Sequence, residues 1–208
     1  EGAGTVIETG GGFLAWLVKG KRVAFSKADE GKEVEKNGFS IGGAYAEYAV
    51  TNAWQCVKLP DDIGFKEGAS FFVNPMTAIG LLDISLNKHK SRTVIITAAA
   101  SQLSRMMLRL CVEQNMNAIC IVRREEQVRL LQEDFKQERV LNSTSPSFDE
   151  DLKRHIDETG AKVLLECISG DIGGRILRLM PAHSCMITYG ILSKETMGNI
   201  DPMSFMGR

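Results

Sequence analysis

The residues best placed to do chemistry in this 208-residue chain form a short turn, Ala98-Ala99-Ala100-Ser101-Gln102-Leu103-Ser104. It joins an apolar run, "TVIITAA", to an amphipathic one. A strand–turn–helix of this kind binds anions through free backbone N–H groups at the helix start and the positive end of the helix dipole. Glycine normally builds the turn, because it permits a tight bend and lets a pyrophosphate approach the backbone. No glycine is present here. Alanine and serine are the next smallest residues, and Ser101 and Ser104 add hydroxyl donors for phosphate oxygens. Gln102 is the bulkiest departure. On the turn alone two readings stand: an altered phosphate loop, or a turn that only packs.

Nineteen residues beyond Ser104, a second apolar run, "NAICIV", ends in Arg123-Arg124-Glu125-Glu126. In a dinucleotide-binding unit an acid here meets the ribose 2′-hydroxyl, or an arginine meets a 2′-phosphate. Two arginines suit a phosphate dianion through charge-assisted hydrogen bonds. The competing reading is a solvated cluster in which both arginines pair with Glu125 and Glu126. Cys167–Gly170 and Tyr189–Ile191 end two later runs and would flank the same crevice. Cys167 has no histidine placed to activate it, so it reads as a packing residue.

These positions need a frame of strands and helices. The runs 93–99, 117–122, 139–142, 161–168 and 183–190 are nearly continuous in apolar residues, as expected of parallel strands covered on both faces. Helical patterns lie between them. Leu103, Met107, Leu110 and Cys111 share one face, as do Phe148, Leu152 and Ile156, with Gly160 ending the latter helix. Strict alternation predicts a doubly wound α/β fold. Residues 1–60 read instead as β-rich, with strands over 3–9, 21–26, 44–52 and 55–60 and a charged, glycine-punctuated loop over 27–43. Between the two parts, 61–86 carries two helical patterns broken at Asn74-Pro75.

The bulk numbers set outer limits. Net charge is −1, from 25 basic and 26 acidic residues, so neither nucleic acid nor an anionic membrane is an expected partner. No apolar run approaches the roughly 20 residues of a membrane span. The five cysteines are scattered, without metal-ligand spacing or a disulfide framework, which points to a reducing compartment and to no metal site. The abrupt ends, "EGAGTVIETG" and "DPMSFMGR", read as truncations.

In order along the chain, "EGAGTVIETG", "GKRVAFS", "GGAYAEYAV", "VKLPDD", "EGASFFVNPMTAIGLL", "TVIITAAASQLSRMMLRLC", "CIVRREEQVRLL" and "AKVLLECISGD…TYGILS" resemble the medium-chain dehydrogenase/reductase superfamily, in its zinc-independent, quinone-oxidoreductase-like branch. The resemblance implies part of a GroES-like catalytic domain over 1–73 and a Rossmann domain over 74–208, lacking its sixth strand and the C-terminal return. It implies NADPH as cofactor and a small-molecule quinone, enone or enoyl thioester as substrate, reduced by direct hydride transfer. On that pattern Asn74 and Thr77 lie near the nicotinamide, Ser101, Gln102, Leu103 and Ser104 hold the pyrophosphate, Arg123 and Arg124 hold the 2′-phosphate, and Tyr189 borders the cofactor. No catalytic residue is assigned. The family's turn, A-x-x-G-G-V-G, is replaced by "AAASQLS". The alternative is therefore a catalytically silent member serving as a binding or structural subunit, with a zinc alcohol dehydrogenase third. A homodimer is expected of the full-length protein.

Overall fold

The computed structural model describes residues 1–26, 43–198 and 200, together with the backbone of the paired segments 35–36 and 39–40. It separates into two compact units, Glu1–Thr77 and Ala78–Arg208. The rest of the loop expected over 27–43 lies outside the described residues.

In the first unit β1 (Gly2–Thr5), β2 (Arg22–Phe25) and β5 (Cys56–Lys58) form an antiparallel sheet in the order β1-β2-β5. The short helix α1 (Phe13–Val18) follows β1, and β3 (Glu35–Lys36) pairs antiparallel with β4 (Phe39–Ser40). The strand expected over 44–52 is absent: residues 43–48 bend. Tyr45, Tyr48 and Val50 are 108%, 68% and 73% exposed, so the alternating run has neither a neighbour to pair with nor a core to face among the described residues.

Helix α2 (Phe65–Gly68) is a single turn, and α3 runs from Val73 to Asp83. The helical pattern thus breaks at 69–72, not at Asn74-Pro75, and Pro75 sits inside the first turn of α3, where no i−4 partner is lost. The first N–H groups are captured from far away. The Glu1 carboxylate accepts from the N–H of Phe72 at 3.0 Å and of Val73 at 2.9 Å. A π-helical turn over Ile84–Lys88 follows α3.

The second unit alternates strictly: β6 (Thr93–Ile96), α4 (Gln102–Glu113), β7 (Asn117–Val122), α5 (Glu125–Glu133), β8 (Val140–Asn142), α6 (Phe148–Thr159), β9 (Val163–Glu166), α7 (Asp171–Leu179) and β10 (Cys185–Thr188). All five strands are parallel, in the order β10-β9-β6-β7-β8. The pleat sorts their side chains into two cores. Val94, Ile96, Cys120, Val163 and Leu165 face one side with Met107, Leu108 and Cys111 of α4. Ile95, Ile119, Ile121 and Leu164 face the other with Phe148, Leu152 and Ile156 of α6. Burial on both faces explains why these strands read as unbroken apolar runs. Gly160 ends α6 at φ 65°, a left-handed position that favours glycine. The architecture is a Rossmann-like doubly wound sheet, preceded by a small β-rich unit.

Candidate functional site

The chain winds outward from β6 in both directions, first through β7 and β8 and then through β9 and β10. A crevice opens at such a reversal, outside the carboxyl ends of the strands. Four segments emerge there: the turn after β6, Arg123–Arg124 after β7, Cys167–Gly170 after β9 and Tyr189–Gly190 after β10.

The turn makes its bend without glycine. Ala98 takes φ 46°, a left-handed conformation that costs a residue bearing Cβ about 1 kcal/mol. The N–H of Ser101 donates to the Ala98 carbonyl at 2.9 Å and closes the turn. Ser101 is the N-cap of α4: its hydroxyl accepts from the Ser104 N–H at 3.3 Å and donates to the Ser104 hydroxyl at 2.9 Å. The N–H groups of Gln102 and Leu103 have no partner among the described residues, as the first turn of a helix dictates. The Gln102 side chain is exposed and its Oε1 accepts from Arg105 at 3.1 Å, so its bulk lies along the helix surface.

A buried polar cluster supports the turn. Thr97 is fully buried, and its hydroxyl accepts from the Cys167 N–H at 3.0 Å. Glu166, also fully buried, accepts from the N–H groups of Ile168 at 2.7 Å and Ser169 at 3.0 Å. These bonds fold the chain after β9 back on itself and let Ser169 hold φ 63°. The Tyr189 N–H continues the ladder to the Glu166 carbonyl at 2.9 Å. The Tyr189 hydroxyl is buried. Its polar neighbours are Cys167 and Ser104. Burial first, then Cys167, raises the phenol above its ordinary range, so it is a neutral O–H. Burial likewise raises the Cys167 thiol, against the lowering by Tyr189 and Thr97, and this disfavours the thiolate that a nucleophile needs.

Arg123 and Arg124 part company. Arg124 Nη1 lies 3.2 Å from Glu126, and Glu125 is engaged by Asn142. Arg123 is exposed, and its side chain has no partner among the described residues. Only its backbone N–H is used, donating to Gln127 at 3.2 Å. The solvated-cluster reading therefore describes Arg124 and not Arg123. In the first unit, Asn74 and Thr77 lie one turn apart on α3, both half-buried and without hydrogen-bonded side chains among the described residues. The second unit brings Ser101, Ser104 and Tyr189 together and sets Arg123 just past the carboxyl end of β7, the strand adjacent to β6. Among the described residues no group of three or more His, Cys, Asp or Glu could hold a metal ion, and no helix is long and apolar enough to cross a membrane.

Residues 1–61 match the family model of the alcohol dehydrogenase GroES-like domain. A crystal structure from Mesorhizobium loti, assigned as an NADPH:quinone reductase, superposes with a TM-score of 0.84 at 32% identity, over 99% of this chain and 56% of that one. The chain belongs to the medium-chain dehydrogenase/reductase superfamily. Among curated relatives, a highly reducing polyketide synthase of Purpureocillium lilacinum is 26% identical over 91% of this chain and 7% of its own length. The quinone oxidoreductase of Pongo abelii is 24% identical over 98% of this chain and 57% of its own. The chain thus spans a small part to just over half of these relatives.

For this superfamily member, sequence reasoning missed two supports of the site, Thr97 and Glu166. Glu166 did leave a signal: one acid inside the apolar run "AKVLLECI", where burial demands hydrogen-bond partners.

Proposed function

We propose that the protein carrying this chain is an NADPH-dependent oxidoreductase that reduces a small quinone, enone or enoyl thioester. The observation that carries the reading is Arg123, a cation without a partner among the described residues at the carboxyl end of the strand next to β6. Its guanidinium suits a 2′-phosphate, for which NADH has no counterpart. The residues present fit the rest of such a cofactor. The unbonded N–H groups of Gln102 and Leu103 and the hydroxyls of Ser101 and Ser104 form a donor set for a pyrophosphate. Arg124 adds positive charge beside Arg123. Asn74 and Thr77 are assigned to the nicotinamide side, and Tyr189 to the floor of the site.

When bound, NADPH supplies the hydride for the substrate's electrophilic carbon or quinone. The chain's own part is to hold phosphates at the start of α4 and to fix the floor through the Glu166 and Thr97 hydrogen bonds. No side chain at the site is assigned as acid or base. A homodimer belongs to the same reading, and sedimentation of the full-length protein checks it.

A NADPH titration of the full-length protein, followed by turnover with a quinone, an enone and an enoyl thioester, tests the proposal. Absence of NADPH binding at millimolar concentration overturns it. A second reading, a silent subunit, is favoured by the Ser101 cap, which already occupies the Ser104 N–H. Binding that appears only in Ser101→Gly/Ser104→Gly supports that reading instead.

A further inference from the structure

The motif Arg123-Arg124-Glu125-Glu126 sets two cations beside two acids. Paired off among themselves, they would leave no charge for a ligand. The structure divides them unevenly. Arg124 takes Glu126 at 3.2 Å. Glu125, the first residue of α5, turns instead to Asn142, whose Nδ2 donates to its Oε1. Sheet register puts Asn142 there. It stands opposite Val122, the residue before Arg123, and the N–H of Ser143 donates to the Val122 carbonyl at 2.8 Å. The Asn142 side chain is held from its other end as well. Its Oδ1 accepts from the Thr144 N–H at 3.1 Å and from the Thr144 hydroxyl at 2.9 Å. A backbone N–H can only donate, so Oδ1 faces Thr144 and the amide NH2 is left for Glu125. Of the four charges in the motif, Arg123 alone has no partner among the described residues.

We propose that Asn142 is a positioning residue for the 2′-phosphate of the cofactor: it holds Glu125 and so keeps Arg123 open to that phosphate. Glu125 is the anion that competes with the site. It opens α5, where the positive end of the helix dipole favours an acid, and it lies next but one to Arg123. Released, its carboxylate pairs with Arg123 or stands as a second anion beside the phosphate dianion. Either way a ligand bearing this phosphate is weakened, and a ligand lacking it is not. An amide is a fitting restraint, because it donates to the carboxylate while remaining neutral and draws no cation from the site. The acid that helps to start the helix is thereby kept from competing with the ligand.

This inference rests on the NADPH reading, and its test separates the two. NADPH and NADH are each titrated into the full-length wild type, Asn142→Ala, Asn142→Ser, Glu125→Gln and the double variant Asn142→Ala/Glu125→Gln, with melting temperature as the check on folding. Asn142→Ser gives up the amide but keeps a hydroxyl acceptor for the Thr144 N–H, so it decides the matter should Asn142→Ala fail to fold. Both Asn142 variants should weaken NADPH about threefold, the size of an exposed ion pair that the phosphate must displace. NADH affinity should change by less than about 1.5-fold, since NADH carries no 2′-phosphate. In the double variant NADPH affinity should return to within about 1.5-fold of Glu125→Gln alone, because the neutral side chain no longer needs restraint. A purely structural role for Asn142 would lower both affinities together and would not be relieved by changing Glu125. Unchanged NADPH affinity in the Asn142 variants, equal losses for the two cofactors, or a loss that persists on the Glu125→Gln background each overturns the role of Asn142 and leaves the NADPH reading intact. A wild type that binds neither cofactor, or binds NADH as tightly as NADPH, overturns that reading and the inference with it.

Discussion

Replacing Arg123 with alanine separates cofactor selection from folding. Its side chain is exposed and unpartnered among the described residues, so the change should cost no more than about 0.5 kcal/mol of stability. Against a 2′-phosphate dianion the same side chain makes charge-assisted hydrogen bonds, about 1.5–3 kcal/mol where dry. Exposure and salt screening at this strand end bring the expectation to the lower part of that range, about tenfold in NADPH affinity. Arg124 provides an internal control. Its Nη1 lies 3.2 Å from Glu126, with the two side chains 61% and 72% exposed, so Arg124→Ala gives up a weaker contact of at most about 1 kcal/mol. Fluorescence titration with NADPH and NADH at two ionic strengths reads the effect. Arg123→Ala should weaken NADPH about tenfold, leave NADH unchanged and abolish most of the salt dependence of NADPH binding. Equal losses for both cofactors, or a larger loss in Arg124→Ala, would refute the assignment of Arg123 to the 2′-phosphate.

Three further outcomes follow from the second unit. Leu152→Ala removes a fully buried side chain from the α6 face and should cost about 2–5 kcal/mol in chemical denaturation, with NADPH affinity of the folded fraction unchanged. Glu166→Ala strands the N–H groups of Ile168 and Ser169, and should both lower the melting temperature and raise protection loss at those amides in hydrogen exchange. Burial lifts the thiols of Cys111 and Cys120 from 9.0 to about 12, so the folded state holds their protons more tightly than the unfolded chain does. Their contribution is present in full below pH 9 and is lost as pH rises toward 12; melting temperature should fall across that window, and less steeply in Cys120→Ala.

The five parallel strands were legible because burial on both faces leaves them almost wholly apolar, and the doubly wound fold followed from their alternation with helices. The first unit was read less well for a matching reason. "AYAEYAV" alternates as a half-buried strand should, but alternation states only which face could be covered, and no neighbour covers it among the described residues. The start of α3 was placed at Asn74-Pro75 because proline was the only local signal; the residue that captures its first N–H groups is Glu1, which no window along the chain contains. At the site, the turn and Arg123 were visible as residue types at expected spacing. What the side chains do was not: whether Ser101 is spent on Ser104, or Arg124 on Glu126, depends on rotamers and neighbours.

The Glu1 carboxylate makes the beginning of α3 conditional. Ser70, the nearest side chain able to cap it from within its own neighbourhood, donates instead to the Glu67 carbonyl at 3.0 Å. The helix bearing Asn74 and Thr77 therefore has its first turn secured only when residues 1 and 72 have already met, across a loop whose closure entropy the sheet of the first unit must overcome. Helix initiation there is a tertiary event. A peptide spanning this helix alone should begin frayed, and in the intact unit the amides of Phe72 and Val73 should exchange with solvent at the rate at which β1 leaves its sheet, not at the rate of a fraying helix end.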